Sequence, residues 1–154
     1  MVQPDCYQQV KNKAVQLLAI REHGSAELAR KLKQKHPDCF DVIDDVLAEL
    51  ETIGYLNEVR YVEAFIRKEQ ALGHGLHRIK AALREKGADE HCVSDVLAAD
   101  ETDWIQLARQ VRVKKFGEAL PNDRVESAAQ MRFLSYRGFD SDTIRYVLKN
   151  LSDD

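Results

Sequence analysis

The sequence is poor in the residues that punctuate β-structure: its 154 residues hold 7 glycines and 3 prolines. That argues against a turn-rich all-β fold. No run approaches the roughly 20 apolar residues that cross a bilayer, so no membrane segment is expected. The stretch from Met1 to Cys6 has neither the basic nor the apolar region of a secretory signal. Cysteine is scarce and odd in number, with Cys6, Cys39 and Cys92 and no CxxC pair. A reducing cytoplasm is the expected home, with the thiols as small buried apolar groups or idle surface groups. There is no GxGxxG, GxxxxGK[ST] or GxSxG. His74 with His77, and His91 beside Cys92, lack the spacing of a zinc site or an HExxH helix. No metal, cofactor or catalytic residue is therefore assigned. A net charge of −3 excludes a generic polyanion binder.

What is present is helical periodicity. Val42, Ile43, Val46, Leu47 and Leu50 stack on one side of a helix. Ile79, Ala82 and Leu83 do the same, and the stem of Lys86 can lie along their stripe. Tyr61, Val62, Phe65, Ile66 and Leu72 form a third stripe, and Trp104, Leu107, Ala108, Val111 and Val113 a fourth. Gly54, Gly87 and Gly138 follow such runs where a left-handed residue ends a helix. Asn57 reads as an N-cap, with Leu56 and Tyr61 as its hydrophobic staple. Asp123 with Glu126 reads as a capping box, and Ser25 and Ser141 as N-caps. Roughly nine helices follow.

A shift of 51 residues superimposes the pattern on itself. Gly24 falls on Gly75, Leu32 on Leu83 and Leu134, and Lys35 on Lys86 and Arg137. Val42 falls on Val93 and Ile144, and Val46 on Leu97 and Leu148. What repeats is the buried face of two successive helices. The expected fold is all-α: three tandem three-helix repeats, 1–54, 55–103 and 104–154, stacked into an elongated, curved array. A unit of about 50 residues buries only a small core, and stacking enlarges it.

Net charge hides a segregation. Asp38–Glu51 and Asp89–Asp103 each hold six acids and no Lys or Arg. Arg60–Lys86 holds seven bases against three acids, and Arg109–Lys115 adds four bases and no acid. His77, Lys80 and Arg84 follow i, i+3, i+7 spacing and share one helix face. The equivalent positions are Ala26, Ala29 and Lys33 in the first unit and Ala128, Met131 and Ser135 in the third. A one-signed surface of this kind suits an anionic filament or nucleic-acid backbone, and an acidic row would repel the same backbone and set orientation. The candidate contact residues are Arg60, Arg67, Lys68, His77, Lys80, Arg84 and Arg132. The aromatics Tyr61, Phe65, Trp104, Phe116 and Phe133 fall at or near core phase.

These segments resemble the RecX family, bacterial regulators of the RecA recombinase. The resemblance runs from about Ala14 to Lys149. It rests on Arg21-Glu22-His23-Gly24-Ser25-Ala26-Glu27-Leu28 followed by Lys31-Leu32. Its most specific block runs from Gly54-Tyr55-Leu56-Asn57-Glu58 through Tyr61-Val62-Glu63-Ala64-Phe65-Ile66-Arg67. Gly73-His74-Gly75 through Lys86-Gly87 continues it, and Arg132-Phe133-Leu134-Ser135-Tyr136-Arg137-Gly138-Phe139 ends it. Asn57-Glu58 stands where the family more often has Asp-Asp, Tyr61 where it has Phe, and Leu76 where it has Pro. The resemblance implies three three-helix repeats. It also implies a cytoplasmic protein that binds RecA, lies in the groove of its filament on DNA, and restrains ATP hydrolysis, strand exchange and coprotease activity. No catalytic residue comes with it. A monomer is expected, with at most weak DNA contact; a direct DNA-binding helical module is the alternative.

Overall fold

Nine α-helices fill the computed structural model, which describes residues 5–149. They are α1 (Cys6–Ile20), α2 (Ser25–Lys35), α3 (Phe40–Thr52), α4 (Glu58–Ala71), α5 (Leu76–Glu85), α6 (Glu90–Ala99), α7 (Trp104–Phe116), α8 (Arg124–Tyr136) and α9 (Ser141–Leu148). A 3-10 turn, Pro37–Cys39, separates α2 from α3. No strand occurs among the described residues. The helix ends follow local chemistry. Asn57 Oδ1 accepts the Arg60 N–H at 3.0 Å, and Leu56 and Tyr61 are both buried, so cap and staple form as expected. Asp123 accepts from Glu126 N at 2.8 Å, and Asp103 caps α7 in the same way. Two expected caps lie one residue off. Asp140, not Ser141, takes the Thr143 N–H at 2.7 Å, and Gly24, not Ser25, precedes α2. A carboxylate at the N-cap outcompetes the serine beside it because it accepts with full charge.

The chain gathers into two compact units. One runs to Phe65 and takes in Leu83–Ala98; the other holds Ile66–Ala82 and the described residues from Ala99 onward. The first unit buries Val10 and Ala14 of α1, Leu28 and Leu32 of α2, and Ile43, Val46, Leu47 and Leu50 of α3 around one core. The second buries Ala108, Leu134, Phe139, Ile144 and Val147. Leu32, Leu83 and Leu134, equivalent by the 51-residue shift, are all fully buried. Each such leucine contributes roughly 1.5–3 kcal/mol. α6 departs from its counterparts: it buries none of its residues, and Val93 and Leu97 stay half-exposed.

Glycine sets how closely helices meet. At Gly75, just before α5, a Cβ would lie 2.5 Å from the Gly138 carbonyl carbon. Gly75 N–H donates to Arg137 O at 2.8 Å, and His77 N–H to Gly138 O at 3.0 Å. The start of α5 thus docks on the turn that ends α8, and Gly138 itself has φ +103° with Arg78 against it. The first unit has a looser contact at the corresponding place. A Cβ on Gly87 would sit 3.1 Å from that of Ala26, at the start of α2.

Several expectations change. Leu72 lies past the end of α4 and is 53% exposed, and Val113 faces solvent on α7. Arg112 takes a buried place instead. Its guanidinium donates to Glu118 O, Ala119 O and Gln130 Oε1, because the chain after α7 folds back and needs its carbonyls satisfied. Cys6 and Cys39, expected as thiols, form a disulfide with Cα atoms 5.5 Å apart. α1 and the 3-10 turn bring them within bridging distance across 33 residues, a proximity that spacing in the sequence does not reveal. Cys92 remains free.

A charged cluster lies under the start of α2. Glu27 is 3% exposed and takes a two-pronged ion pair from Arg21, at 2.7 and 3.1 Å. His23, equally buried, faces Arg21 O at 3.0 Å and Lys31 Nζ at 2.9 Å. Lysine can only donate, so Nε2 accepts and the proton sits on Nδ1. Burial would raise the Glu27 pKa, but the Arg21 hydrogen bonds and the surrounding positive charge bring it down to about 2. Burial keeps His23 below its ordinary value. The Tyr61 hydroxyl is buried with no hydrogen-bond partner among the described residues, and burial pushes it up to about 12.

Three outcomes follow. Gly75→Ala should cost at least about 2–3 kcal/mol in urea unfolding, since backbone must move. Gly54→Ala, whose Cβ meets open space at φ +86°, should cost only about 1 kcal/mol; equal losses would refute the close approach. Stability should fall as pH drops from about 4.5, where unfolded Glu27 titrates, toward about 2. Glu27→Gln should flatten that slope; an unchanged slope would place the acid sensitivity elsewhere. Thiol titration of the denatured, unreduced protein should find one thiol, Cys92, and three would exclude the bridge. Closing such a loop contributes about 3–4 kcal/mol in the chain-entropy view.

Candidate partner-binding surface

The α5 sequence leaves one side bare of apolar groups. Ile79 and Leu83 turn inward and are fully buried, so His77, Lys80 and Arg84 necessarily point outward, and all three are exposed. They occupy about 10 Å of one uninterrupted helix. Neither Lys80 nor Arg84 has a carboxylate partner among the described residues. Asp140 is the acid whose titration His77 influences. Its carboxyl is held low chiefly by the Thr143 backbone N–H, with His77 a smaller contributor. On α2 the equivalent face is a shallow hollow lined by Ala26, Ala29, Lys33 and Phe40, with the Lys33 ammonium 6.0 Å from the Phe40 ring. The middle repeat thus carries a histidine and a lysine at the positions where the first carries Ala26 and Ala29.

The other four candidates are scattered. Arg67 and Lys68 are exposed on the second half of α4, and Arg132 is exposed on α8. Arg60 has an internal role. It pairs with Glu22 at 2.9 Å and donates to Gly54 O at 2.7 Å and Tyr55 O at 3.3 Å, clasping the turn that precedes its own helix. Of the seven, helix geometry brings together only the α5 trio.

The acids sort as the sequence implied. Asp41, Asp44 and Asp45 on α3, and Glu90 and Asp95 on α6, are all exposed. Glu49 is the exception, drawn into Lys11 Nζ at 2.9 Å and the Tyr7 hydroxyl at 3.1 Å. Glu58 takes a structural part: one oxygen accepts from Ser25 N and the other from Asp89 N, both at 3.0 Å. The carboxylate at the start of α4 thereby satisfies amide groups at α2 and just before α6. The basic run Arg109–Lys115 divides by role. Arg109 lies 5.5 Å from the Tyr146 ring centroid and Arg112 is buried, while Lys114 and Lys115 stay exposed. Arg137 joins those two lysines at a cleft. The sequence signal for it was its alignment with Lys35 and Lys86, which marks a recurrent cation at the end of each second helix.

Among the described residues, no group of three His, Cys, Asp or Glu side chains comes together as a metal site, and His74 pairs with Glu69 at 3.0 Å. No helix is long and apolar enough to cross a membrane.

Comparison with known proteins agrees with this architecture. Residues 11–50 match the family described as RecX, first three-helix domain, and residues 101–148 match RecX, third three-helix domain. The regulatory protein RecX of Vibrio vulnificus is 39% identical over 140 residues, covering 91% of each chain. That of Pseudomonas entomophila is 40% identical over 140 residues, 90% of this chain and 89% of its own. The crystal structure of RecX from Lactobacillus salivarius superimposes with a TM-score of 0.79 at 21% identity, over 98% of this chain and 99% of that one, a likeness of fold. With ordered sequence blocks, a helical-trio fold and this identity across nearly the whole chain, the protein belongs to the RecX family of regulatory proteins.

Proposed function

We propose that this chain binds the RecA recombinase and lies in the groove of its filament on DNA, restraining ATP hydrolysis, strand exchange and coprotease activity. The observation that supports this reading is the exposed His77–Lys80–Arg84 face, whose Lys80 and Arg84 have no carboxylate partner among the described residues, on a helix that turns the fully buried Ile79 and Leu83 inward. Cations on this face attract an acidic surface, and exposed acids on α3 and α6 repel one. Arg67, Lys68 and Arg132 extend the basic contact, and Arg60 acts by holding the Gly54 turn. Residues 1–54, 55–103 and 104–154 serve as three tandem three-helix repeats. The protein works as a monomer in the cytoplasm, as a binding partner and not as an enzyme. A direct DNA-binding helical module is the second reading, since the same cations suit phosphates; the acids on α3 and α6 make it the weaker one.

The test is the charge-reversed double variant Lys80→Glu, Arg84→Glu. The unmodified chain should lower ATP turnover by RecA–DNA filaments. The variant should need at least about tenfold more protein for the same effect, about 1.4 kcal/mol of lost binding. Thermal unfolding should barely move, because exposed substitutions shift stability by about 0.5 kcal/mol or less. Unchanged turnover at saturating wild-type protein would refute the function. Full inhibition by the variant would refute the face. Tight, sequence-selective gel shifts without RecA would favour the DNA-binding module.

A further inference from the structure

The second unit holds a cleft of about 510 Å³ with mixed walls, in which apolar side chains alternate with Gln70 and Gln110, and with three cations. Leu72, Val111 and Phe133 supply apolar surface, and Lys114, Lys115 and Arg137 supply charge. No acidic residue lines it, and none of the three cations has a carboxylate partner among the described residues. Arg137 is already oriented. One amino group donates to Leu72 O at 2.8 Å, and the guanidinium carbon lies 5.1 Å from the Phe133 ring centroid. The Lys115 ammonium lies 5.8 Å from the same centroid, and Phe116 packs edge-on against that ring at 5.3 Å. Gly73 keeps the wall open, since a Cβ there would lie 3.0 Å from Val111 and 3.2 Å from Arg137.

We propose that this cleft is a docking site for an acidic peptide segment in which an apolar side chain is flanked by carboxylates. The apolar residue would fill the space between Leu72, Val111 and Phe133. The carboxylates would neutralise Lys114, Lys115 and Arg137. Like charges lining one cleft beside apolar surface favour a ligand that carries both an anion and an apolar group. Nucleic acid fits less well. Base stacking needs a bare aromatic face, and Phe133 is packed by two cations and a second ring. A phosphate chain would also leave Leu72, 53% exposed, without an apolar partner. The proposal stands apart from the α5 face and does not require that RecA be the partner.

The test is fluorescence anisotropy of the full chain with a fluorescein-labelled hexapeptide, Asp-Glu-Leu-Phe-Glu-Asp. The controls are the same peptide with Ser-Ser at its centre and the single strand dT12. The Leu-Phe peptide should bind saturably, at least about fivefold tighter than the Ser-Ser peptide, a difference of about 1 kcal/mol. Lys114→Glu and, separately, Leu72→Asp should each weaken it by a similar factor. Both sites are exposed, so neither change should unfold the protein. The Lys80→Glu, Arg84→Glu variant should bind the peptide like wild type, which separates this site from the proposed α5 contact. Absence of saturation, equal binding of the Ser-Ser peptide, equal competition by dT12, or insensitivity to both cleft variants would each overturn the proposal.

Discussion

The structure depends on how closely one helix start can approach another helix's end. At Gly75 and Gly138 two backbones meet at a separation that admits no side chain, and two main-chain hydrogen bonds, Gly75 to Arg137 and His77 to Gly138, close the joint. A looser contact appears at the corresponding place in the first unit, where Gly87 lies against Ala26. Glycine is required at the joint because a Cβ would force the backbones apart and break those hydrogen bonds. Within the second unit the joint holds the start of α5 against the turn that ends α8. The outward face of α5 is then fixed as well.

Charge is handled in two ways. Much of the buried charge is answered in detail, although one Asp100 carboxylate oxygen is buried with no hydrogen-bond partner among the described residues. Glu27 is met by Arg21 and Lys31, and Arg112 by two carbonyls and a glutamine; Glu58, only half-buried, is met by two amide groups. Each would carry a heavy desolvation penalty if left alone. Where charge is exposed, on the α5 face and around Lys114 and Lys115, no acid among the described residues answers it. A helix can satisfy its own solvated lysines with water at little cost, so fold stability does not explain why the acids concentrate on α3 and α6 and leave these cations alone.

Much of the fold was legible. Periodicity located the helices, the glycines marked their ends, and the shared phase of Leu32, Leu83 and Leu134 revealed the repeat. These readings succeed because they depend on contacts within about four residues or on faces that recur unchanged. The misreadings have a common cause. Arg112 read as surface charge, Leu72 as core, and Cys6 and Cys39 as separate thiols. In each case the path the chain takes beyond the helical stripe decides the environment: its return at Glu118–Ala119, the end of α4 just before Leu72, and the packing of α1 against the 3-10 turn. Asp140 displaced Ser141 as a cap through a local competition between two good acceptors, which sequence can list but not rank.

The candidate surface divides along the same line. Spacing alone put His77, Lys80 and Arg84 on one face, because α-helical geometry fixes that relation for any sequence that folds as a helix. Spacing could not show that Arg60 turns back to Glu22 and the Gly54 carbonyl, nor that Arg137 joins Lys114 and Lys115 at one cleft. The sequence by itself determined the helices, their inward stripes, the repeat and the sorting of charge, since each is a property of neighbours along the chain. Only the tertiary structure decided which charges are answered and which remain open, because that depends on which distant carbonyl, carboxylate or ring the packing brings within reach.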